Sequence, residues 1–326
     1  MMTNLLVMRE YIKSFYAKYE EFIVPVLKFA LALILFVTIN SRLGYMEALN
    51  NPALVLVAAL LCSFLPLGMT VFLCAAFLLA HVVALSLECT AVLLLAYLFI
   101  LVFYFRFSPK SHLILLLTPL LFIWKIPYLM PLAAGLFGTP ATAVAVVCGV
   151  VLYYVLSYVT GNAAALGGAE ADSMLQRFRD VTAGVAQNRE MMIVAAAFAI
   201  TVLLVYGIRR MSINYSRAIS VLVGMLADIV ILLVGDLMYD ANFAIGSVLL
   251  GSIAGAVLAL LMQFFHFNLD YARTEKVQFE DDEYYYYVKA VPKMAVAAPE
   301  KRVKRITTQR ANQSVRRSHT RGRSGK

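Results

Sequence analysis

Long apolar runs separated by short polar segments dominate the chain. A helix needs about 20 apolar residues to cross a bilayer. Two of the apolar runs, 52–65 and 127–138, are short and end at a Pro or Gly. The pattern predicts an all-α integral membrane protein with about ten transmembrane helices. The remaining runs are 22–41, 69–88, 89–105, 111–124, 141–160, 191–208, 216–235 and 243–266.

The order of long and short runs occurs twice. Residues 22–105 and 106–208 each contain a long run, a short run, a break and two long runs. This order predicts two parallel four-span repeats, followed by a transmembrane helical hairpin at 209–269. Apolar residues at helical spacing also predict an amphipathic helix near 169–185 on the extracytoplasmic surface.

Composition agrees with this class. The chain is 62% hydrophobic with a mean hydropathy of +0.80, against about 45 to 50% apolar residues in soluble domains. Most of the net charge of +9 comes from the tail. Basic residues collect on the cytoplasmic side of membrane proteins, so ten spans place the arm at 1–21 and the C-terminus in the cytoplasm of a multi-pass cell-membrane protein. If both short runs are re-entrant instead, the 42–68 and 106–110 loops change sides.

The two Pro/Gly breaks are candidates for a translocation site. Interrupted helices at corresponding places in two repeats often build a substrate site at the bilayer midplane, where protein or ligand must satisfy the freed backbone groups. The alternative is a kinked packing helix in each repeat. The residues concerned are Pro66, Gly68, Gly135, Gly138 and Pro140.

Three ionisable residues inside or at the edge of spans are further candidates for a translocation or ion site. His81 and Glu88 are seven residues apart, which predicts that they share a face of one helix. Asp228 lies near the middle of its span. A buried acid costs several kcal/mol there, about 2.5 to 3.5 on insertion scales, so it either binds a proton or cation or forms a packing hydrogen bond.

Small residues recur every four positions on the last two spans. Ser220 and Gly224 precede Asp228 at this spacing, and the next span has Ser247, Gly251 and Gly255. Such faces let helix backbones approach closely. We therefore expect the C-terminal hairpin to pack on itself through them.

No catalytic or phosphate-binding motif occurs in the sequence. The four cysteines lie in apolar runs without metal-ligand spacing, so neither a metal, a cofactor nor an enzymatic activity is expected.

The C-terminal region divides into two parts. Residues 270–293 have strong strand preference and predict a juxtamembrane strand that docks a cytosolic partner or a second copy, or packs on the protein's own cytoplasmic face. Residues 294–326 predict a disordered polybasic tail that binds anionic lipid headgroups, whereas missing aromatic partners disfavour nucleic acid. The docking candidates are Glu280, Asp281, Asp282, Glu283, Tyr284, Tyr285, Tyr286 and Tyr287.

Three stretches resemble a family of bacterial polytopic membrane proteins of uncharacterised activity, some of which are labelled ABC transporter permease. They are "YARTEKVQFEDDEYYYYVKAVPK", "SLECTAVLLLAYLFILVFYFRFSPK" and "GLFGTPATAVAVVCGVVLYYVLSYV". The resemblance extends over most of residues 40–293, and the acidic-tyrosine block is its most specific part. It implies a multi-pass membrane protein but no substrate or functional residues.

Two functions follow from these observations. The repeat, the paired breaks and Asp228 favour a permease-like transport component. The tyrosine block and the lack of catalytic motifs favour a membrane scaffold of a cell-envelope complex that recruits cytosolic partners through residues 277–293.

Overall fold

The computed structural model describes residues 2–163, 174–266, 275–280 and 285–290. Over these residues the chain forms helices and one pair of strands. The helices are α1 (Met2–Arg42), α2 (Pro52–Phe64), α3 (Leu67–Leu85), α4 (Leu87–Phe107), α5 (His112–Ile123), α6 (Leu129–Phe137), α7 (Thr142–Gly161), α8 (Met174–Ala186), α9 (Arg189–Arg209), α10 (Ser216–Tyr239) and α11 (Ile245–His266), with a 3-10 turn at Glu47–Asn50.

The chain forms two compact units, 1–267 and 268–326. Within the described part of the first unit, seven helices are long and apolar enough to cross a membrane: the part of α1 from Ser14, α3, α4, α7, α9, α10 and α11. The prediction of an all-helical, multi-pass membrane protein is confirmed at this level. Helices α2, α5 and α6 are shorter, with 13, 12 and 9 residues.

Aromatic contacts give the directions of the first helices. Phe72, early in α3, stacks on Phe105, late in α4, with ring centroids 5.6 Å apart. The Tyr104 hydroxyl lies 2.7 Å from Nδ1 of His112, the first residue of α5. Helices α3 and α4 are therefore antiparallel, and the start of α5 lies beside the end of α4.

Helix α5 runs parallel to α7 and stops about half-way along it. A Cβ on Gly149 would lie 2.5 Å from the Cβ of Thr118, and the Phe122 ring stacks on Tyr153 at 4.5 Å. Helix α7 continues to Gly161. The run 111–124, predicted as a full span, is thus a helix of about 18 Å, at 1.5 Å per residue.

Helix α6 returns to the level where α5 began. The Arg209 guanidinium, at the end of α9, donates to the carbonyls of Leu136 and Gly138 at the end of α6. The Thr142 hydroxyl, at the start of α7, lies 3.3 Å from the Ala134 carbonyl. Helices α5 and α6 therefore form a short hairpin, with both ends at the end of the bundle formed by the ends of α4 and α9, called the basic end below.

The predicted repeat has a partial counterpart in the element order. Both halves have two helices, a break and further long helices, but α1 has 41 residues and α5 has 12. Helix α1 also includes the predicted arm and kinks at Tyr19, and Arg9 lies over the Phe264 ring at 5.3 Å. The duplication itself stays a prediction.

The second unit contains an antiparallel strand pair in its described part. Strand β1 (Glu275–Glu280) pairs with β2 (Tyr285–Ala290), and Val277 lies opposite Val288. The prediction of a lone strand is corrected, because "EKVQFE" also has strand-forming residues and pairs with the tyrosines. Asp281, Asp282, Glu283 and Tyr284 and the tail from 291 onwards lie outside the described residues.

Candidate functional site

A cavity of about 440 Å³ lies between the tip of the α5–α6 hairpin and helices α7, α9 and α11. Asn188 and Glu190, at the start of α9, and Ala244, just before α11, form its rim. Its floor is the segment Pro127–Tyr128 at the hairpin tip. The cavity therefore extends from the end of the bundle opposite the basic end to the half-way level of the long helices.

The hairpin tip turns sharply because of its backbone conformation. Lys125 adopts a left-handed conformation with φ of 62°, and the Ile126 N–H donates to the Leu121 carbonyl at 3.0 Å. Pro127 follows, and a proline near the start of a helix needs no backbone donor. The turn ends α5 and starts α6 in the opposite direction.

Glycines of α11 allow the tip to approach closely. A Cβ on Gly251 would lie 2.7 Å from the Tyr128 ring, and one on Gly255 would lie 2.8 Å from the backbone nitrogen of Leu129. Both glycines are near the middle of α11. The tip thus rests on a helix backbone at mid-depth, where larger side chains would push it away.

An aromatic cluster surrounds the floor of the cavity. Tyr128 meets Phe198 edge-on at 6.1 Å, and Phe122 lies 5.8 Å from the same Phe198 ring. Tyr153 and Tyr154 contact each other edge-on at 5.4 Å. Such tilted and edge-on pairs are the favoured geometries of aromatic rings. The packed rings therefore form the wall around the cavity floor.

The rim is acidic. Glu190 lines the cavity and interacts electrostatically with Asp236 of α10. The neighbouring Arg189 donates instead to the Tyr239 carbonyl at the end of α10, at 2.9 Å. The Asn188 side chain accepts a hydrogen bond from the Met191 N–H at 3.0 Å and caps α9. A carboxylate, rather than a cation, therefore faces the cavity.

Asp228 lies below this floor, buried between helices. It is 1% exposed, and the Thr201 hydroxyl of α9 donates to its Oδ1 at 3.3 Å. Tyr128 of the hairpin tip lies in the neighbourhood of both Asp228 and Glu190. The predicted candidate Asp228 is thus near the cavity but does not line it.

The two faces of small residues pack on other partners than predicted. A Cβ on Gly224 would meet Val205 of α9 and Leu132 of α6, and Ser220, on the same face, is fully buried. Gly251 and Gly255 face the start of α6, as described above, and Ser247 lines the cavity. The prediction that the hairpin packs on itself through these glycines is wrong, because α6 lies against both faces.

The Pro66 break lies at the end of the bundle rather than at mid-depth. Pro66 caps the start of α3, which is beside the end of α4, and Gly68 faces the His112 ring. The Lys28 ammonium donates to the Leu65 carbonyl at 3.3 Å. Because this break lies at the end of the bundle, it cannot form a site at the bilayer midplane. The Leu65 carbonyl freed by the break already has a protein partner, Lys28.

The second predicted break also lies at the basic end. Gly138 ends α6 and Pro140 follows it, and Arg209 binds the carbonyls there, as described above. Gly135 lies where α6 crosses α9, because a Cβ would come within 2.7 Å of the Val205 Cβ. These residues position the hairpin but do not line the cavity.

His81 has two partners and serves packing. Its Nδ1 accepts a hydrogen bond from the Met46 N–H at 3.2 Å, so its Nε2 donates to the Asn40 side-chain oxygen at 2.8 Å. Glu88 belongs to α4, since α3 ends at Leu85. The prediction that His81 and Glu88 share one helix face is wrong, because the extended Ser86 reverses the chain between them.

The sequence reasoning missed most of the cavity. Trp124 and Lys125 lie at the hairpin tip, and nothing in their sequence context indicates this. Nothing in the sequence marks Tyr153, Tyr154 or Glu190 as residues of a site either. The available signal was Pro127 shortly after a run too short to span, which marks a turn within the membrane.

No model of a known protein family matches the chain, and neither does any curated protein or solved structure. Function therefore has to be argued from the site itself, and the family resemblance stays a prediction.

Proposed function

We propose that this protein is a permease-like transport component of the cell membrane, with its substrate site in the cavity above the α5–α6 hairpin. The main observation in support is that Tyr128, at the hairpin tip, closes a polar cavity at mid-depth. Non-helical backbone at this depth is tolerated only where it is buried in protein or lines a water-filled space. Transporters use such interrupted segments to bind substrate.

The basic end faces the cytoplasm in this proposal. Arg106, Lys110, Arg209 and Arg210 lie there, as the positive-inside rule expects of a cytoplasmic surface. The seven long helices then cross the bilayer, and the 3-10 turn together with α2 returns the chain from the end of α1 to the basic end. Helices α5 and α6 enter from the cytoplasm and return, and both termini are cytoplasmic. The cavity opens to the outside.

Movement of α6 would give access from the cytoplasm. This nine-residue helix lies between the cavity floor and the basic end, and its Leu132 and Leu136 are almost fully buried between α9, α10 and α11. Alternating access needs a site that is exposed to each side in turn. A short helix with loops at both ends requires a smaller rearrangement than a full span.

The position of Asp228 is suited to coupling substrate transport to the movement of a proton or ion. It is buried beside α6, and an uncompensated acid in a membrane marks a proton or ion pathway by default. The alternative is a packing role through the Thr201 hydrogen bond. Asp228→Asn retains an acceptor for Thr201 but removes the charge, so it separates the two roles.

Cysteine labelling tests the transport proposal. In a variant with the four native cysteines replaced, Tyr128→Cys should react with a membrane-impermeant charged thiol reagent in intact cells and in inside-out vesicles. Leu250→Cys is the matched control, because Leu250 neighbours Gly251 but is 72% exposed on the outer surface of the bundle. Its thiol should react from neither side.

Two outcomes contradict the proposal. Labelling of Tyr128→Cys from outside only, in energised and de-energised membranes, rules out alternating access. Labelling from neither side rules out the water-filled cavity.

In a strain that lacks the protein, Asp228→Asn should fail to restore function while the protein accumulates normally. If Asp228→Asn restores function fully and deletion of 277–293 gives the null phenotype, the transport proposal is contradicted.

A membrane scaffold is the second candidate function. Among the described residues the sheet has two strands, so each strand has one edge without a strand partner there. An open edge is suited to strand addition by a cytosolic protein or a second copy. The polybasic tail would hold anionic lipid headgroups. A crosslinking pull-down with the full chain and a form truncated at Asp270 tests this, and equal capture by both contradicts the docking role.

A further inference from the structure

We propose that the cavity binds a small organic cation with an alkylated ammonium group, such as a quaternary amine. This inference deepens the proposed function, because it assigns a substrate class to the same cavity. Glu190 supplies the negative charge, and the aromatic rings around the floor supply the surface for the alkyl groups.

The charge of the lining favours a cation. Glu190 is the acidic member of the fourteen described lining residues, and neither Lys nor Arg is among them. Asp236 adds negative charge close to Glu190, whereas Arg189 is held by the Tyr239 carbonyl. An anionic ligand would meet a carboxylate and have no cationic partner in this lining.

The rings favour an alkylated ammonium over a hydrated metal ion. Seven of the fourteen lining residues are aromatic, and a cation over an aromatic face is attracted by the ring electrons, most strongly when it is desolvated. Aromatic cages are the usual way to recognise quaternary ammonium groups. Among the described residues, no cluster of three metal-ligating side chains occurs. The rings are Phe122, Tyr128, Tyr153, Tyr154, Tyr158, Phe198 and Phe243.

The size of the cavity agrees with a small ligand. Its volume of about 440 Å³ lies in the lower part of the range of small-molecule sites, about 300 to 1,000 Å³. The remaining polar lining groups include Ser157, Asn188 and Ser247, which suit one hydroxyl or carbonyl on the ligand. A ligand with many hydroxyls, such as a sugar, would leave most of them facing aromatic rings.

The test compares choline with 3,3-dimethylbutan-1-ol, its neutral isostere, on the purified full-length protein. Trp124 is the only tryptophan of the chain and lies at the hairpin tip, so its fluorescence reports binding, and calorimetry gives the Kd. We expect choline to bind at least tenfold more tightly than the neutral isostere. Equal binding of the two, or no binding of choline, overturns the proposal.

Matched variants identify the groups responsible. Glu190→Gln should weaken choline binding at least tenfold, whereas Glu47→Gln, in an exposed turn outside the cavity, should leave it unchanged. Tyr154→Leu should weaken it at least threefold, and Tyr154→Phe, which keeps the ring, should stay within twofold of the native protein. Thermal unfolding of each variant shows that the fold is retained.

Glu190 also has a structural role, because it lies in the first turn of α9, where an acid interacts favourably with the helix dipole. If it has only this role, Glu190→Gln lowers the unfolding temperature and leaves the choline Kd unchanged. That result would refute the cation site.

Failure of this inference is distinguishable from failure of transport. If Tyr128→Cys is labelled from both sides but choline does not bind, the substrate class is wrong and transport stands. If choline binds with the expected selectivity but labelling occurs from outside only, the cavity is a cation-binding site without transport.

Discussion

The two interrupted regions of the bundle, α1–α3 and α5–α7, have the same order of elements but opposite consequences. In the first, α2 packs along α1, and the Leu65 carbonyl at the break is bound by Lys28. In the second, α5 stops half-way and the turn at Lys125 lies beside a polar cavity. An interruption marks a candidate site only where its turn lies at mid-depth and meets a cavity.

Length explains the difference. Helix α1 has 41 residues and gives α2 a full partner to pack against, whereas α5 has 12 residues. A 12-residue helix is about 18 Å long, which is too short for a hydrocarbon core of about 30 Å. The chain then has to turn inside the bundle, and glycines of α11 make room for the turn.

The largest effect is expected from crowding α6 at its crossing with α9. A side chain on Gly135 would lie 2.7 Å from the Val205 Cβ and 2.9 Å from the Val202 carbonyl, so Gly135→Val should destabilise the protein by about 3 kcal/mol. Gly207→Val is the control, because no atom lies within 4 Å of its added Cβ. Unfolding in detergent measures both, and equal stabilities would show that α6 does not contact α9 here.

The sequence predicted the long helices well because a bilayer imposes a strong length requirement on apolar runs. It did not predict that α5 stops half-way, since a 14-residue run such as 111–124 satisfies either a short span or half a hairpin. The contact of Phe122 with Tyr153 and the left-handed turn at Lys125 decide between them.

The next effect concerns the anchor of the hairpin. Arg209 donates to two carbonyls at the end of α6. A hydrogen bond to a charged group contributes about 1.5 to 3 kcal/mol, but Arg209 is only half-buried and water can replace part of both bonds. Arg209→Met should therefore lower the free energy of unfolding by about 2 kcal/mol in total. Arg210→Met removes the same charge from an exposed side chain that contacts the Tyr206 hydroxyl, and it should cost less than about 1 kcal/mol.

This pair of variants also separates folding from orientation. Both remove one positive charge from the same end of the bundle, so an effect on topology would be the same in both. If Arg209→Met and Arg210→Met are equally stable, the hairpin is not anchored by Arg209 and its end would be free to move.

A smaller difference in stability is expected between variants of two buried polar residues, His81 and Asp228. His81 joins α3 to Asn40 and Met46 through two hydrogen bonds, so His81→Leu leaves buried polar groups without partners, at about 1 to 3 kcal/mol. Asp228 accepts a long hydrogen bond from Thr201, at 3.3 Å, and Asp228→Asn should change stability by less than about 1 kcal/mol. Calorimetric or denaturant unfolding measures both.

That comparison shows why the sequence could not rank these residues. His81 and Asp228 are both isolated polar residues in apolar runs, and either pattern fits a site or a packing role. Their partners come from α1 and α9, 41 and 27 residues away along the chain. If Asp228→Asn proves more damaging to stability than His81→Leu, the carboxylate has a structural role that outweighs its proposed function.

The smallest effect should come from the turn residue itself. Lys125 has φ of 62°, and a left-handed conformation costs a residue with a Cβ about 1 kcal/mol, whereas Gly adopts it without this cost. Lys125→Gly and Lys125→Ala both remove the ammonium, so their difference isolates the backbone. We expect the Gly variant to be more stable by about 1 kcal/mol in thermal unfolding. Because Ala is the best helix former, an Ala variant that is equally or more stable would mean that α5 continues through residue 125, and the contrast between the two interrupted regions would vanish with the turn.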